Sequence, residues 1–167
     1  RTSARARCTS VGMDLARVDD TAENDQLRVL LAGKAGWLGG NDSLVEGNHT
    51  RDARDLVVWY SPGNRLFRNV VERGRYGIHF MYSHDNVATD NRMIANVVGI
   101  FAMYSRNLRI ERNLMARATG AAGMGLGAKE SGNLQIRENA IVENSVCIHL
   151  DNSPLQPEEW NMFAEND

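Results

Sequence analysis

Three side chains with soft donor atoms lie near the middle of the chain: His79, Met81 and Met103. The two methionines are 22 residues apart, and His79 precedes Met81 by two positions. Thioether sulfur and imidazole nitrogen suit Cu(I) better than they suit hard cations. If the fold places all three on one face, they predict a weak Cu(I) contact. Methionines packed at a surface are the alternative interpretation.

Two aromatic residues extend the same spacing. Trp59 comes 22 residues before Met81, and Phe101 comes 22 residues after His79. A fold that repeats every 22 residues would therefore place Trp59, His79, Met81, Phe101 and Met103 in adjacent rows. So much contiguous apolar surface on a monomer is typical of a protein–protein interface. We predict a partner-binding face here, or else a surface covered by a loop such as 118–124 or by the N-terminal segment.

The elements that must position these residues are internal repeats. Residues 77–83, Gly-Ile-His-Phe-Met-Tyr-Ser, return as residues 99–105, Gly-Ile-Phe-Ala-Met-Tyr-Ser. The same register reaches back to residues 55–61 and forward to residues 125–131, the latter after a step of 26. The four extra residues fall in the small-residue stretch 118–123, which predicts a loop. Self-similarity at such a period is the sequence signature of a solenoid.

Apolar residues alternate within each repeat, which indicates strands with one buried face. Three short alternating segments per repeat predict an all-β fold, a right-handed parallel β-helix with coils of about 22 residues. The residues expected to be buried in columns are Ile78, Phe80, Ile100, Ala102, Leu126, Ile148 and Leu150.

Two further columns have a structural interpretation. Asparagine tolerates left-handed backbone, and its amide can bond a neighbouring turn. A corner ladder is therefore predicted for Asn69, Asn91, Asn113, Asn139 and Asn161. Tyr60, Tyr82 and Tyr104 predict a structural stack of rings at a strand end, and Lys129 beside Asp151 predicts a surface ion pair of small value.

The 167 residues are enough for one domain. Residues 1–26 are polar and fit no coil, so they predict a poorly ordered lead-in, whereas residues 27–167 predict the β-helix coils. The first coil is expected over residues 26–48, with a strand at Val29–Leu31 and with Trp37 aligned to Trp59. No capping repeat follows Asn161, and an uncapped solenoid is typical of a fragment of a longer helix.

Composition excludes several classes of function. The net charge of −2 favours neither nucleic acid nor an anionic membrane as a partner. No apolar run approaches the roughly 20 residues of a membrane span. Cys8 and Cys147 are too isolated to predict a disulfide framework or a zinc site.

The sequence also disfavours an enzyme. The outward columns of the sheet that carries His79 and Met81 offer only Lys129 and Asp151, whereas polysaccharide lyases and hydrolases need clustered carboxylates or a basic residue in a groove. We therefore expect no catalytic residues. The alternative is a carbohydrate-active β-helix protein, either a polysaccharide lyase or hydrolase or a glycan-binding module.

Residues 77–86, GIHFMYSHDN, and residues 98–105, VGIFAMYS, closely resemble the NosD family, and residues 125–130 are similar to its next coil. The resemblance covers roughly residues 52–153. It implies a periplasmic β-helix accessory protein for maturation of nitrous oxide reductase in denitrification. It also implies work with an ABC-type membrane complex and a metalloenzyme or copper chaperone, no catalytic residues, and at most a transient Cu(I) ligand.

Overall fold

The computed structural model describes residues 14–15, 36–38 and 41–167. These residues form a parallel β-solenoid: three sheets of short strands run the length of the molecule, and each full coil gives one strand to each sheet. The described residues contain no helix, and therefore none that could cross a membrane. The predicted fold class is confirmed, and the right-handed winding stays a prediction.

Every sheet is built from parallel neighbours one coil apart. Sheet A consists of β1 (Asp14–Leu15), β2 (Gly36–Leu38), β5 (Asp55–Trp59), β8 (Tyr76–Met81), β11 (Val98–Met103), β14 (Met124–Lys129) and β17 (Val146–Asp151). Sheet B consists of β3 (Leu44–Glu46), β6 (Arg65–Phe67), β9 (Val87–Thr89), β12 (Arg109–Glu111), β15 (Leu134–Arg137) and β18 (Asn161–Ala164). Sheet C consists of β4 (His49–Arg51), β7 (Val70–Glu72), β10 (Arg92–Ile94), β13 (Leu114–Ala116) and β16 (Ala140–Val142).

The core fills the space between the three sheets, and its columns follow the predicted register. Ile78, Ile100 and Leu126 pair directly across three coils and are fully buried. Phe80 and Ala102 form the second column and are buried too. The four-residue insertion is a turn closed by a Gly123 N–H to Gly120 carbonyl bond of 3.0 Å.

The prediction fails in the last coil. Leu150 is 41% exposed, and Ile148 is only partly buried. Both lie on β17, the last strand of sheet A, and no described strand stacks on its far side. Within the described residues, these two core positions therefore lack the covering strand that Ile78 and Ile100 have.

The asparagine ladder exists, with one member corrected. The backbone N–H of Asn91 donates to Oδ1 of Asn113 at 3.0 Å, and the same bond recurs at each rung. The rungs are Asn48, Asn69, Asn91, Asn113, Asn139 and Asn166. Asn161 was assigned wrongly, because the insertion at residues 154–160 lengthens the last step to 27 residues. Asn161 instead pairs with Leu134 in sheet B.

The N-terminal predictions fall partly on described residues. Trp37 pairs with Val57, so its predicted alignment with Trp59 is wrong by two residues. The strand predicted over Val29–Leu31 lies outside the described residues. Within the lead-in predicted for residues 1–26, only Asp14 and Leu15 are described, and they form β1 against β2.

Candidate docking and copper-binding face

The outer face of sheet A carries the predicted residues in two neighbouring columns, as the alternation of a strand requires. One column runs through Trp59, Met81, Met103, Lys129 and Asp151. The other runs through Val57, His79, Phe101, Gly127 and His149. The structure thus brings all five predicted partner-binding residues together. The predicted ion pair is confirmed, with Lys129 Nζ 3.2 Å from Asp151 Oδ2 at the surface.

His79 differs from its neighbours because it is only 6% exposed. Its ring lies edge-on to Tyr76 at 4.7 Å between centroids and beside Phe101 at 5.9 Å. Tyr76 and Phe101 also stack on each other at 5.4 Å. We call Tyr76, His79 and Phe101 the aromatic cluster. Tyr76 and Phe101 cover the imidazole from outside the sheet, so a partner would touch these two rings rather than His79.

The position of Tyr76 in this cluster depends on the neighbouring residue Gly77. A Cβ on Gly77 would collide with the Gly99 carbonyl and the Met93 side chain, so position 77 faces the core. Ile78 faces the core as well, which breaks the strict alternation of the strand and turns Tyr76 outward over His79. One strand later, Gly127 leaves room for the ring of Phe101.

The environment of His79 keeps its imidazole neutral. Burial lowers the pKa of His79 to about 4; the negative charge of Asp55 acts in the opposite direction, and Arg75 reinforces the lowering. Arg75 binds the Asp55 carboxylate at 2.6 and 3.0 Å, and its guanidinium lies 4.4 Å from the Tyr76 ring centroid. Within the described chain, Nε2 of His79 makes no hydrogen bond.

An exposed apolar strip flanks the cluster. Trp59 is 39% exposed, and Met81 and Met103 are partly exposed beside it. The predicted tyrosine stack is confirmed, with centroid distances of 5.1 Å from Tyr60 to Tyr82 and 4.7 Å from Tyr82 to Tyr104. The sequence interpretation treated these rings as purely structural. Tyr60 and Tyr82 are in fact exposed, and they continue the apolar strip around the corner.

The donor set fits a soft cation in part. Met81 and Met103 pair in register, one strand spacing of about 4.8 Å apart, and their flexible side chains can converge. His79 lies two residues along the strand, roughly 6–7 Å away, and beneath the rings. The described residues contain no group of three His, Cys, Asp or Glu side chains that could hold a metal ion. Of the three soft donors, the two thioethers are the accessible ones, because His79 is buried.

The fold and this face define the class of protein: a parallel β-solenoid that presents an apolar strip with thioether donors on one outer sheet. The chain belongs to the NosD family, because the family model described as periplasmic copper-binding protein (NosD) matches residues 21–167. The match extends beyond the residues 52–153 in which the resemblance was visible. Searches of curated proteins and of solved structures found no match.

Proposed function

We propose that the chain is a periplasmic, non-catalytic scaffolding protein that assists assembly of the copper centres of nitrous oxide reductase. In this proposal it acts beside an ABC-type membrane complex and docks a metalloenzyme or copper chaperone through the outer face of sheet A. Membership of a family described as periplasmic and copper-binding supports the compartment and the metal.

The observation that carries the docking role is the strip of Trp59, Met81, Met103 and the tyrosine stack. Trp59, Met81 and Met103 stand on strands whose backbone bonds are satisfied by neighbouring coils, and each tyrosine directly follows such a strand, so the strip is rigid before a partner arrives. A preorganised apolar surface loses little conformational entropy on binding. Docking therefore needs no rearrangement of the solenoid.

In this proposal the protein binds copper transiently and transfers it. Met81 and Met103 would hold Cu(I) through their sulfur atoms, and the bound ion supplies a soft Lewis acid that can be passed to a stronger site. Two thioethers at a solvent-facing position bind loosely, which favours transfer over storage. The neutral imidazole of His79 lies beside the two sulfur atoms and would be a third donor to the ion.

Docking is tested by placing a charge in the strip. We expect Trp59→Glu, which leaves both thioethers in place, to lower severalfold the copper content of nitrous oxide reductase purified from the host strain, because the partner must desolvate the new carboxylate. Val142→Glu is the matched control: Val142 is 38% exposed on sheet C, away from the strip. Equal copper content in both variant strains and in wild type would contradict the docking role.

Copper binding is tested separately. The double variant Met81→Leu/Met103→Leu keeps the apolar strip and removes both sulfur atoms. We expect it to compete much less well than wild type for Cu(I) against a chromogenic chelator under anaerobic conditions. Equal Cu(I) affinity of the two proteins would contradict copper binding by Met81 and Met103. It would not contradict the docking role.

A further inference from the structure

A groove of about 470 Å³ lies on the outside of the solenoid, where the chain turns from sheet A into sheet B. It is on a different sheet from the strip proposed for docking. Its volume lies within the range typical of small-ligand sites. The groove is lined by Asp85, Val87, Asn107, Arg109, Asn133, Gln135 and Trp160.

The lining consists of two parallel ladders that run from coil to coil. The corner ladder is Asp85, Asn107 and Asn133, all with left-handed backbone (φ 59°, 57° and 55°), followed by Trp160. The strand ladder is Val87, Arg109 and Gln135, which pair directly in register on sheet B. The groove between them follows the axis of the solenoid and therefore repeats every ~4.8 Å.

The corner ladder is polar and already ordered. The side-chain amide of Asn107 donates to Asp85 Oδ1 at 2.8 Å, and Asn133 Oδ1 accepts a hydrogen bond from the backbone N–H of Trp160 at 3.2 Å. Within the described chain, the NH₂ group of Asn133 and the side chain of Gln135 make no hydrogen bond. They remain available as planar donors and acceptors at the wall of the groove.

The insertion at residues 154–160 holds Trp160 at one end of the groove. The side chain of Glu159, next to it, is almost completely buried and forms an ion pair with Arg106. A Cβ on Gly132 would collide with Glu159, so the glycine gives that carboxylate its space. The Glu159 backbone N–H also donates to the Gln156 carbonyl at 3.1 Å. This anchored loop presents an indole that is 50% exposed.

We propose that this groove binds a neutral, extended oligosaccharide. An exposed indole offers a flat apolar face to the C–H face of a sugar ring, and side-chain amides with a carboxylate can bond pairs of vicinal hydroxyls. The coil repeat is close to the rise per sugar of an extended β-1,4-linked chain. Charge favours a neutral ligand, because the Arg109 guanidinium is engaged by Glu111 and, among the described residues that line the groove, only Asp85 carries a carboxylate.

The site does not depend on the proposed role in copper-centre assembly, because it shares no residue with the strip on sheet A. The test is calorimetric titration of the whole chain with cellotetraose, and with maltotetraose as a curved chain of the same composition. We expect cellotetraose to bind and Trp160→Ala to weaken it by about tenfold or more, as loss of an aromatic anchor does. Gln135→Ala, on the opposite wall, should weaken it severalfold.

Trp59→Ala is the matched control, because it removes a partly exposed indole from sheet A and leaves the groove intact. Circular dichroism verifies that each variant keeps the β fold, and Gln135→Ala keeps the test decisive if Trp160→Ala does not fold. Binding of cellotetraose lost in both groove variants and kept in Trp59→Ala supports the site. No binding of either sugar, or binding lost only in Trp59→Ala, overturns it. If maltotetraose binds more tightly than cellotetraose, the proposal that the ligand is an extended chain is wrong.

Discussion

Replacing Phe80 by alanine is expected to lower the free energy of unfolding by about 3–5 kcal/mol, because the change deletes a large buried side chain and leaves a cavity. Phe80 is fully buried between Val58 of the coil below and Ala102 of the coil above. Two small neighbours cannot expand to fill the space that the ring leaves. Urea denaturation followed by circular dichroism measures the change.

Phe163→Ala is the matched control for this experiment. Phe163 pairs with the core residue Ile136, yet it is 38% exposed because β18 is the last strand of sheet B among the described residues. We expect it to cost well under half as much. Equal losses in the two variants would mean that the stacked columns do not form one continuous core.

The second large effect is a loss of stability between pH 6.5 and pH 4 that depends on His79. Its pKa of about 4 in the folded protein lies below the ordinary value of 6.5, so the unfolded chain binds more protons across this interval. The stabilisation is therefore complete above pH 6.5 and is lost as the pH falls toward 4. The difference corresponds to roughly 3 kcal/mol.

The measurement is urea denaturation of chelator-treated protein at several pH values from 7 to 5, comparing wild type with His79→Leu. Leucine keeps the apolar contacts with Tyr76 and Phe101 and cannot be protonated, so the variant should lose much less stability over this range. His149→Leu, an exposed position in the same column, should behave like wild type. A pH profile unchanged by His79→Leu would contradict the buried neutral imidazole.

Protonation of carboxylates does not affect this comparison of stabilities. The pKa values of Asp52, Glu72 and Glu111 lie below their ordinary 3.8 and 4.5, since arginine side chains hydrogen-bond each of them. Their contribution is lost only as the pH falls through those lowered values. It is also present equally in wild type and in both histidine variants.

The two proposed binding surfaces use different parts of the same repeat. Docking uses the outer face and end of the sheet A strand, which the Met-Tyr-Ser motif marks in two coils. The groove uses the next corner and the start of the sheet B strand. A solenoid can carry both because every coil exposes three sheets, and substitutions on one outer face leave the others in place.

Periodicity alone determined most of the fold. A 22-residue repeat with period-2 alternation buries its apolar residues when the coils form a parallel stack. That stack places Met81 beside Met103 and Ile78 beside Ile100. The same logic put the polar Asn91 and Asn113 at a corner, because a buried amide in a repeat must bond its own copy. These are consequences of translation along one axis, so one repeat predicts the next.

Only the tertiary structure decided the features that depart from the period-2 alternation or from the 22-residue spacing. Gly77 admits a local irregularity that turns Tyr76 over His79, so a histidine predicted to face solvent became buried. The insertion at residues 154–160 shifted the ladder from Asn161 to Asn166 and placed Trp160 over the groove. The cause in each case is packing between residues far apart in sequence or out of register, which the alternation of apolar residues along one strand does not encode.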